Sequence, residues 1–551
     1  MELHRRRVLS LGLVGLLGAA TACTRAPAPP VPAPATSPTI PTPAAPRPFV
    51  IGAPGQPHQA DPFFSWDSET FRLSRQQFDT LLSVNPQTGE PAPGLAREHR
   101  VSSDLLTHTF LLEPGRTFSD GSPCDAAAVV ANVQRWSRPA APDLAHIPSP
   151  FVSVFGGFPG ETRSRFAQVT ASSSHTVRLR LSAPLEHLPA ALTSPQFGLV
   201  SPASWGSQDT VARPASDAAG TGPYRRASVE EVGAMAHEHP ALVDTDLLVP
   251  VAPDADDAEL GPVAVAHWGR ASTRLRELSR GTADVMDVVT PGQLRRLVET
   301  GAQVLQRDPL SVLYLGMNLE HPVLDQLYAR RAIAHGVDRP ALARSGLFLE
   351  GSSMAHDLVP PPLGVDADGA ERYDVNPERA RSYLALAGYE GQPLEFLYPA
   401  GWSRPSLPEP EKVYARIAAD LSEVGLNIVP VPIPADADYL EAILSRPSRA
   451  LHLMSRDGLY RDPHAFLEPV SRSFAAETAY ANARVLRLLD DAADDSGESR
   501  LETFAQICRS VSLDLPVLPL VYPISAVAIG ERVQSYPTSP QLDEHWRDIR
   551  A

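Results

Sequence analysis

The chain has 551 residues and a formal net charge of −16, with 43% hydrophobic and 20% charged residues. This length predicts two or more lobes of about 100 to 250 residues each and excludes a single small module. We expect no nucleic-acid partner, because phosphate binding needs a basic face and the chain has 48 Lys and Arg residues but 64 Asp and Glu residues.

The first residues are typical of an export signal. Arg5, Arg6 and Arg7 precede an apolar run that is too short to span a bilayer as a stable helix. Small residues follow, directly before Cys23. This arrangement resembles the bacterial lipoprotein signal. We expect a signal peptide over residues 1–22 and a lipid on Cys23, which would hold the protein at the extracytoplasmic face of the bacterial cell membrane. Ordinary cleavage without a lipid is the alternative, and both the Sec and the twin-arginine export routes stay open.

A proline-rich segment over residues 23–48 follows the signal. Ten of the 57 prolines lie between Pro27 and Pro48, among Ala, Ser and Thr. This composition favours extended polyproline II and cannot bury a hydrophobic core. We expect a tether that gives the folded body reach above the membrane.

Two further cysteines stand in the remaining sequence. Cys508 follows Leu501 and Phe504 at helical spacing, which predicts a position on the apolar face of a helix. We expect Cys124 and Cys508 to be buried free thiols. A disulfide between them is the alternative, since an oxidising compartment permits one.

The folded part begins with mixed α+β signals. Residues 106–112 alternate between apolar and polar and predict a strand. After the turn Phe118–Gly121, the apolar residues Val129, Val133 and Trp136 recur at helical spacing and predict a helix.

From about residue 310 the pattern changes to strands that alternate with capped helices. Asn376 and Pro377 are typical of a helix start, and Gly388 is typical of a helix end. A predicted strand, helix and strand then follow over residues 394–398, 413–424 and 426–431. Such a unit implies a parallel sheet covered by helices.

A series of short motifs stands in order between about residues 50 and 530. They are Asn85–Ala96 with Phe118–Pro123, the turn Gly220–Tyr224, the segment Arg280–Val285, the helix Arg330–Arg339 and the segment Asp514–Pro516. The series resembles the family 5 extracellular solute-binding proteins, whose members bind peptides, and in some cases nickel or oligosaccharides, for ABC importers.

The resemblance implies an α/β fold, a two-lobed clamshell of the type II periplasmic-binding-protein class with an extra α+β subdomain. We expect lobe one over residues 49–315 with the subdomain at about 62–165, lobe two over 316–515, and a return to lobe one over 516–551. The two crossing segments, near Leu310–Asn318 and Leu515–Tyr522, are the expected hinge. The expected protein is a monomer that works with ABC permease and ATPase subunits.

The resemblance also suggests a ligand site. Arg404 stands in a stretch similar to the Arg-Pro-x-x-Pro sequence with which dipeptide-binding members pair the ligand's carboxylate, a role that suits the guanidinium fork. The alternative is a surface loop arginine. For the ligand's amino group we expect Asp457, while Asp462 is expected to cap the following helix. Trp402 and Tyr460 are expected to form apolar walls, with core packing as the alternative.

Motifs of enzymes are missing from the sequence. It contains no HExxH, no Gly-x-Ser-x-Gly, and no Walker-type or Rossmann glycine loop. His237 and His239 would share one face of an expected strand, but a third metal ligand has no candidate, so we expect a solvated edge. We therefore expect no catalytic residue, no metal and no cofactor.

Peptide capture for an ABC importer is the leading interpretation. The same fold with an oligosaccharide or a nickel complex as ligand is the runner-up. A secreted hydrolase and a chaperone-like or adhesive surface lipoprotein are alternatives from other classes.

Overall fold

The computed structural model describes residues 47–140, 147–205, 218–242, 245–252, 260–307, 310–435, 437–539 and 541–551. The expected signal peptide, Cys23 and nearly all of the expected tether lie outside these residues. No helix in the described ranges is long and apolar enough to cross a membrane.

The strands of the described part are β1 (Phe49–Ala53), β2 (Leu82–Val84), β3 (Pro91–Pro93), β4 (Ala96–Val101), β5 (Thr107–Leu112), β6 (Phe166–Ser173), β7 (Thr176–Leu181), β8 (Tyr224–Arg226), β9 (Thr245–Pro250), β10 (Val263–His267), β11 (Val285–Asp287), β12 (Gln303–Arg307), β13 (Ser311–Met317), β14 (Ser353–Met354), β15 (Pro393–Ala400), β16 (Asn427–Pro434), β17 (Arg449–Asp457), β18 (Val517–Tyr522) and β19 (Ser525–Ile529). The α-helices are α1 (Ser68–Gln77), α2 (Ala126–Trp136), α3 (Pro150–Phe155), α4 (Leu188–Ala191), α5 (Val229–Glu238), α6 (Ala271–Ser279), α7 (Leu294–Glu299), α8 (Leu327–Gly336), α9 (Arg339–Ala343), α10 (Pro377–Leu386), α11 (Pro410–Glu423), α12 (Tyr439–Leu444), α13 (His464–Ser471), α14 (Ala475–Thr478), α15 (Ala483–Asp494) and α16 (Gly497–Asp514).

The first lobe is built on a seven-stranded sheet with the order β12-β19-β11-β1-β10-β9-β8. Its central strand β1 runs parallel to β10 and β11, with Ile51 opposite both Val265 and Val285. Strand β19, from near the end of the chain, lies antiparallel between β11 and β12. The C-terminal residues therefore complete the first lobe.

The second lobe is built on a six-stranded sheet with the order β14-β18-β13-β17-β15-β16. Strands β15 and β16 pair in parallel and are joined by α11, as the sequence predicts. Val413 and Ile417 of α11 are fully buried in the same core cluster as Phe396 of β15. The side chain of Asn376 accepts the N–H of Arg379 at 2.9 Å and caps α10, which confirms the predicted helix start.

A subdomain carries a four-stranded antiparallel sheet with the order β4-β5-β7-β6. The predicted strand and helix of this region are confirmed as β5 and α2. Helix α2 begins where Asp125 accepts the N–H of Ala128 at 3.0 Å, and it buries Val129 and Trp136. The sheet ends at Leu181, so the subdomain continues past the expected end at residue 165.

The chain changes sheet at positions that differ from the expected lobe boundaries. Strand β13 belongs entirely to the second lobe's sheet, and β18 also stays there before β19 enters the first. The changes lie between Arg307 and Ser311 and between Tyr522 and Ser525, not at 315/316 and 515/516. Apolar runs identify buried strands, but they do not say which sheet a strand joins, because its pairing partners lie far away in sequence.

The expectation of a strand at His237 is wrong. Both His237 and Glu238 lie in helix α5. The Ser228 hydroxyl accepts the N–H of Glu231 at 3.2 Å, and the Glu231 carboxylate accepts the N–H of Ser228 at 2.7 Å. This capping box starts a helix and outweighs the weak strand pattern that follows it.

The two cysteines are buried free thiols, as expected, and the alternative of a disulfide is wrong. Burial raises the pKa of Cys124 to about 12 and also raises the pKa of Cys508, which lies in α16. Since the thiolate is the reactive form, both side chains act as small apolar core residues.

Candidate ligand-binding site

A cavity of about 130 Å³ lies where the first lobe, its subdomain and the second lobe meet. Three of the four residues that the sequence predicts as ligand contacts, Arg404, Asp457 and Tyr460, line this cavity. Its other walls include Trp66, Phe71 and Arg75 of the first lobe, Ser149 and Ser153 of the subdomain, and Gln541 and Leu542 near the chain end.

Arg404 lies in the loop between β15 and α11. Its backbone N–H donates to the Leu407 carbonyl at 3.1 Å, and the Leu407 N–H donates back at 3.0 Å, which fixes the loop. The guanidinium lies 4.9 Å from the ring centroid of Trp66 and 4.5 Å from that of Trp402. Because Trp66 belongs to the first lobe and Trp402 to the second, Arg404 links the two lobes by cation–π contacts.

The Arg404 guanidinium has no hydrogen bond and no ion pair within the described part of the chain. The other two arginines of the cavity wall are paired: Arg75 bonds Asp543 at 3.0 Å, and Arg456 bonds Glu477 at 3.0 Å. Burial lowers the pKa of Arg404, and the charge of Asp457 acts in the opposite direction. A cation without a partner at this position can bind an anionic group of a ligand.

Asp457 is the last residue of β17 and lies opposite Ser311 of β13. Its Oδ1 atom is buried and has no hydrogen-bond partner among the described residues. Burial raises the pKa of Asp457, while Ser311 and Arg404 lower it. A buried carboxylate oxygen without a donor is costly. A ligand ammonium group would satisfy it.

Trp402 and Tyr460 take different positions. The Trp402 ring supports Arg404 and packs edge-on against Tyr439, with ring centroids 6.2 Å apart. Tyr460 lines the cavity, but its hydroxyl lies 2.9 Å from Nδ1 of His464 and its ring belongs to the core of the subdomain. Both rings therefore also have the packing role that was the alternative interpretation.

Asp462 has its carboxylate engaged in structural contacts. Both oxygens accept hydrogen bonds from the Arg500 guanidinium at 2.8 Å, and Oδ1 also accepts the N–H of His464 at 2.8 Å. The side chain thus accepts the first N–H of α13, but the N-cap position is Pro463, so the prediction of Asp462 as the cap is wrong by one residue.

Trp66 and Gln541 are among the cavity residues that sequence reasoning missed. Trp66 stands before α1, which begins where Asp67 accepts the N–H of Thr70 at 2.7 Å. A tryptophan directly before a helix cap was the available signal, although core packing explains such a residue equally well. Gln541, close to the chain end, carried no local signal.

Comparison with known proteins places the chain in a family. The model of the bacterial extracellular solute-binding proteins, family 5 (middle region) matches residues 90–477. The heme-binding protein A of Haemophilus influenzae is 24% identical over 498 residues, with 85% of each chain covered. The dipeptide-binding protein of Escherichia coli is 22% identical over 529 residues, with 91% of this chain and 94% of the relative covered.

Two solved structures share the fold. The peptide-bound periplasmic binding protein of Helicobacter pylori has a TM-score of 0.77 at 19% identity and covers 91% of this chain and 97% of its own. A dipeptide-binding protein of Pseudoalteromonas in complex with Met-Leu also has a TM-score of 0.77 at 19% identity, with 91% of this chain and 99% of its own covered. The chain belongs to the bacterial extracellular solute-binding proteins of family 5 and has their two-lobed type II fold.

Proposed function

We propose that this protein captures short peptides with free ends between its two lobes and delivers them to an ABC importer. The observation that carries this proposal is a pair of opposite charges in one cavity, each with unused hydrogen-bonding capacity. Arg404 offers an unpaired guanidinium, and Asp457 offers a buried carboxylate oxygen without a donor. A zwitterionic peptide carries the two matching groups, a carboxylate and an ammonium.

The size of the cavity favours a short ligand. About 130 Å³ is small beside the usual range of ligand pockets, roughly 300–1,000 Å³. We infer a ligand on the scale of a dipeptide. The relatives whose names state dipeptide binding, and the solved complex with Met-Leu, support this choice.

In this proposal the protein acts as a monomer without catalytic residues and presents its bound peptide to permease and ATPase subunits. The two connections between the lobes, between Arg307 and Ser311 and between Tyr522 and Ser525, are the proposed hinge. A ligand that contacts both lobes stabilises the closed arrangement, which the permease then recognises.

Calorimetric titration with a panel of ligands tests the proposed function. The panel contains unblocked dipeptides, an oligosaccharide and a nickel–histidine complex. We expect saturable binding of dipeptides and an increase in Tm, because a ligand that binds only the native state stabilises it by mass action. Binding of the saccharide or the nickel complex alone would favour the runner-up ligands. Hydrolysis of a bound peptide, seen by mass spectrometry, would favour an enzyme.

We also propose that the protein is anchored through a lipid on Cys23 at the extracytoplasmic face of the membrane. The small residues Ala20-Thr21-Ala22 before Cys23 support this proposal. Cys23→Ser should move the protein from the membrane fraction to the medium, as measured by fractionation. A wild-type protein that is fully soluble and has the mass of an unlipidated chain would contradict the anchor.

A further inference from the structure

The last residues of the chain form one wall of the ligand cavity. Gln541 lines the cavity together with Arg404 and Asp457 and is 3% exposed. Both polar atoms of its side-chain amide are buried, and neither has a hydrogen-bond partner within the described ranges. One buried side chain of the cavity wall therefore carries an unused donor and an unused acceptor, and its Oε1 atom lies beside Gly89 and Arg461.

The backbone around Gln541 is held firmly. The Arg75 guanidinium donates to the Gln541 carbonyl at 3.2 Å, and the Gln541 N–H donates to the Ser539 hydroxyl at 3.2 Å. Further on, the Glu544 carbonyl accepts a hydrogen bond from the Gln76 side chain at 2.9 Å. These bonds hold the backbone of Gln541 itself and of Glu544, three residues later.

A buried amide without a hydrogen-bond partner lowers the stability of the folded protein. Leaving a donor or an acceptor without a partner costs about 1–3 kcal/mol, whereas an apolar side chain of similar size carries no such penalty. Gln196, which lines the same cavity, shows the usual solution, because its amide nitrogen donates to the Ser65 carbonyl at 2.8 Å. Gln541 has no comparable partner among the described residues, and a ligand in the cavity would supply one.

We propose that Gln541 is a ligand-binding residue that recognises the peptide group of the ligand. Its amide nitrogen can donate a hydrogen bond to the ligand's C=O. This inference rests on the proposed function, in which Arg404 and Asp457 hold the two charged ends. It adds that the cavity also recognises the peptide group between those ends. The protein would therefore distinguish a dipeptide from other zwitterions of equal length.

The test compares two ligands with identical ends. One is the dipeptide of the panel that binds wild-type protein most tightly. The other is its analogue in which –CO–NH– is replaced by –CH₂–CH₂–; for glycylglycine this analogue is 5-aminopentanoate. Calorimetric titration gives the affinity ratio of the two ligands for wild-type protein, for Gln541→Met and for Gln168→Met, an exposed glutamine on β6 that serves as the control.

We expect wild-type protein and Gln168→Met to bind the dipeptide about tenfold more tightly than the analogue, the usual size of one net hydrogen bond. In Gln541→Met this preference should disappear through weaker dipeptide binding. The Tm of Gln541→Met without added ligand should equal or exceed that of wild-type protein, because the variant removes an unpaired buried amide.

Two results would overturn the inference. The first is a preference for the dipeptide that persists in Gln541→Met, which together with a lowered Tm would make Gln541 a packing residue of the chain end. The second is equal binding of both ligands by wild-type protein. If wild-type protein binds none of the dipeptides, the proposed function itself fails and this inference fails with it.

Discussion

Arg404→Ala should weaken dipeptide binding by about 1.5–3 kcal/mol, the range of a hydrogen bond to a charged group, which corresponds to roughly 10- to 150-fold in affinity. The wild-type guanidinium lies between two indole rings without an acidic partner in the described part of the chain. In Arg404→Ala, the carboxylate of the bound ligand would lose its hydrating water and would have no guanidinium to bond. Calorimetric titration measures the effect.

Two controls make the Arg404 result specific. Amidation of the dipeptide's carboxyl terminus should weaken binding to wild-type protein by a similar amount and have almost no further effect in Arg404→Ala, since the two changes remove the same interaction. Arg416→Ala, which removes a surface ion pair with Asp420 on α11, should leave the affinity unchanged. Additive effects of amidation and Arg404→Ala would show that Arg404 does not bind the carboxylate.

Arg307→Met should lower the free energy of unfolding by about 3–5 kcal/mol, the cost of removing one partner from a buried ion pair. Arg307 is 2% exposed and bonds two buried carboxylates, Asp287 at 2.7 Å and Glu544 at 2.8 Å. Glu544 belongs to the same C-terminal segment as Gln541, so this network also holds the cavity wall in place. Urea denaturation at pH 7 measures the loss.

The effect of Arg307→Met should depend on pH. Burial acts to raise the pKa of Asp287, but the charges of Arg307 and Arg72 outweigh it and hold this pKa well below its usual range. In wild-type protein the resulting stability is present above the ordinary Asp value of about 4 and is lost as the pH falls below it. In the variant, Asp287 loses one of the two arginine charges that lower its pKa and therefore takes up a proton more easily. The difference in the free energy of unfolding between wild-type protein and Arg307→Met should therefore become smaller as the pH falls from 7 towards 4.

The control for this prediction is Arg295→Met. Arg295 pairs with Glu299 at 2.8 Å on α7, and its side chain is 91% exposed. Exposed pairs of this kind contribute about 0–1 kcal/mol. A loss for Arg307→Met as small as that of the control would show that the buried network does not stabilise the fold.

Local signals in the sequence predicted local structure well. Asn376 and Pro377 start α10, and the apolar stripe from Val413 predicted α11 between two parallel strands. These features depend on neighbours a few residues away. The capping box at Ser228 is also a local signal, and it predicts the helix that is found at His237 in place of the expected strand.

Features that depend on distant residues carry no local signal; the return of the chain to the first lobe was expected only through the family resemblance, and its strand pairing was not predicted. Strand β19 joins the first lobe's sheet more than 200 residues after β12, its partner. The bond between Gln76 and Trp546 joins positions 470 residues apart and places the chain end beside α1. Arg404 and Asp457 were found through family resemblance, whereas Gln541 reaches the cavity only through such long-range contacts.

Small-angle X-ray scattering of wild-type protein tests most directly whether a peptide is captured between two lobes. The radius of gyration is measured without added peptide and with the tightest-binding dipeptide at a concentration that calorimetry shows to be saturating. The account predicts a smaller radius with the dipeptide, because a ligand held by Arg404, Asp457 and the first-lobe wall favours the arrangement in which the lobes meet. An unchanged radius at saturation would contradict it.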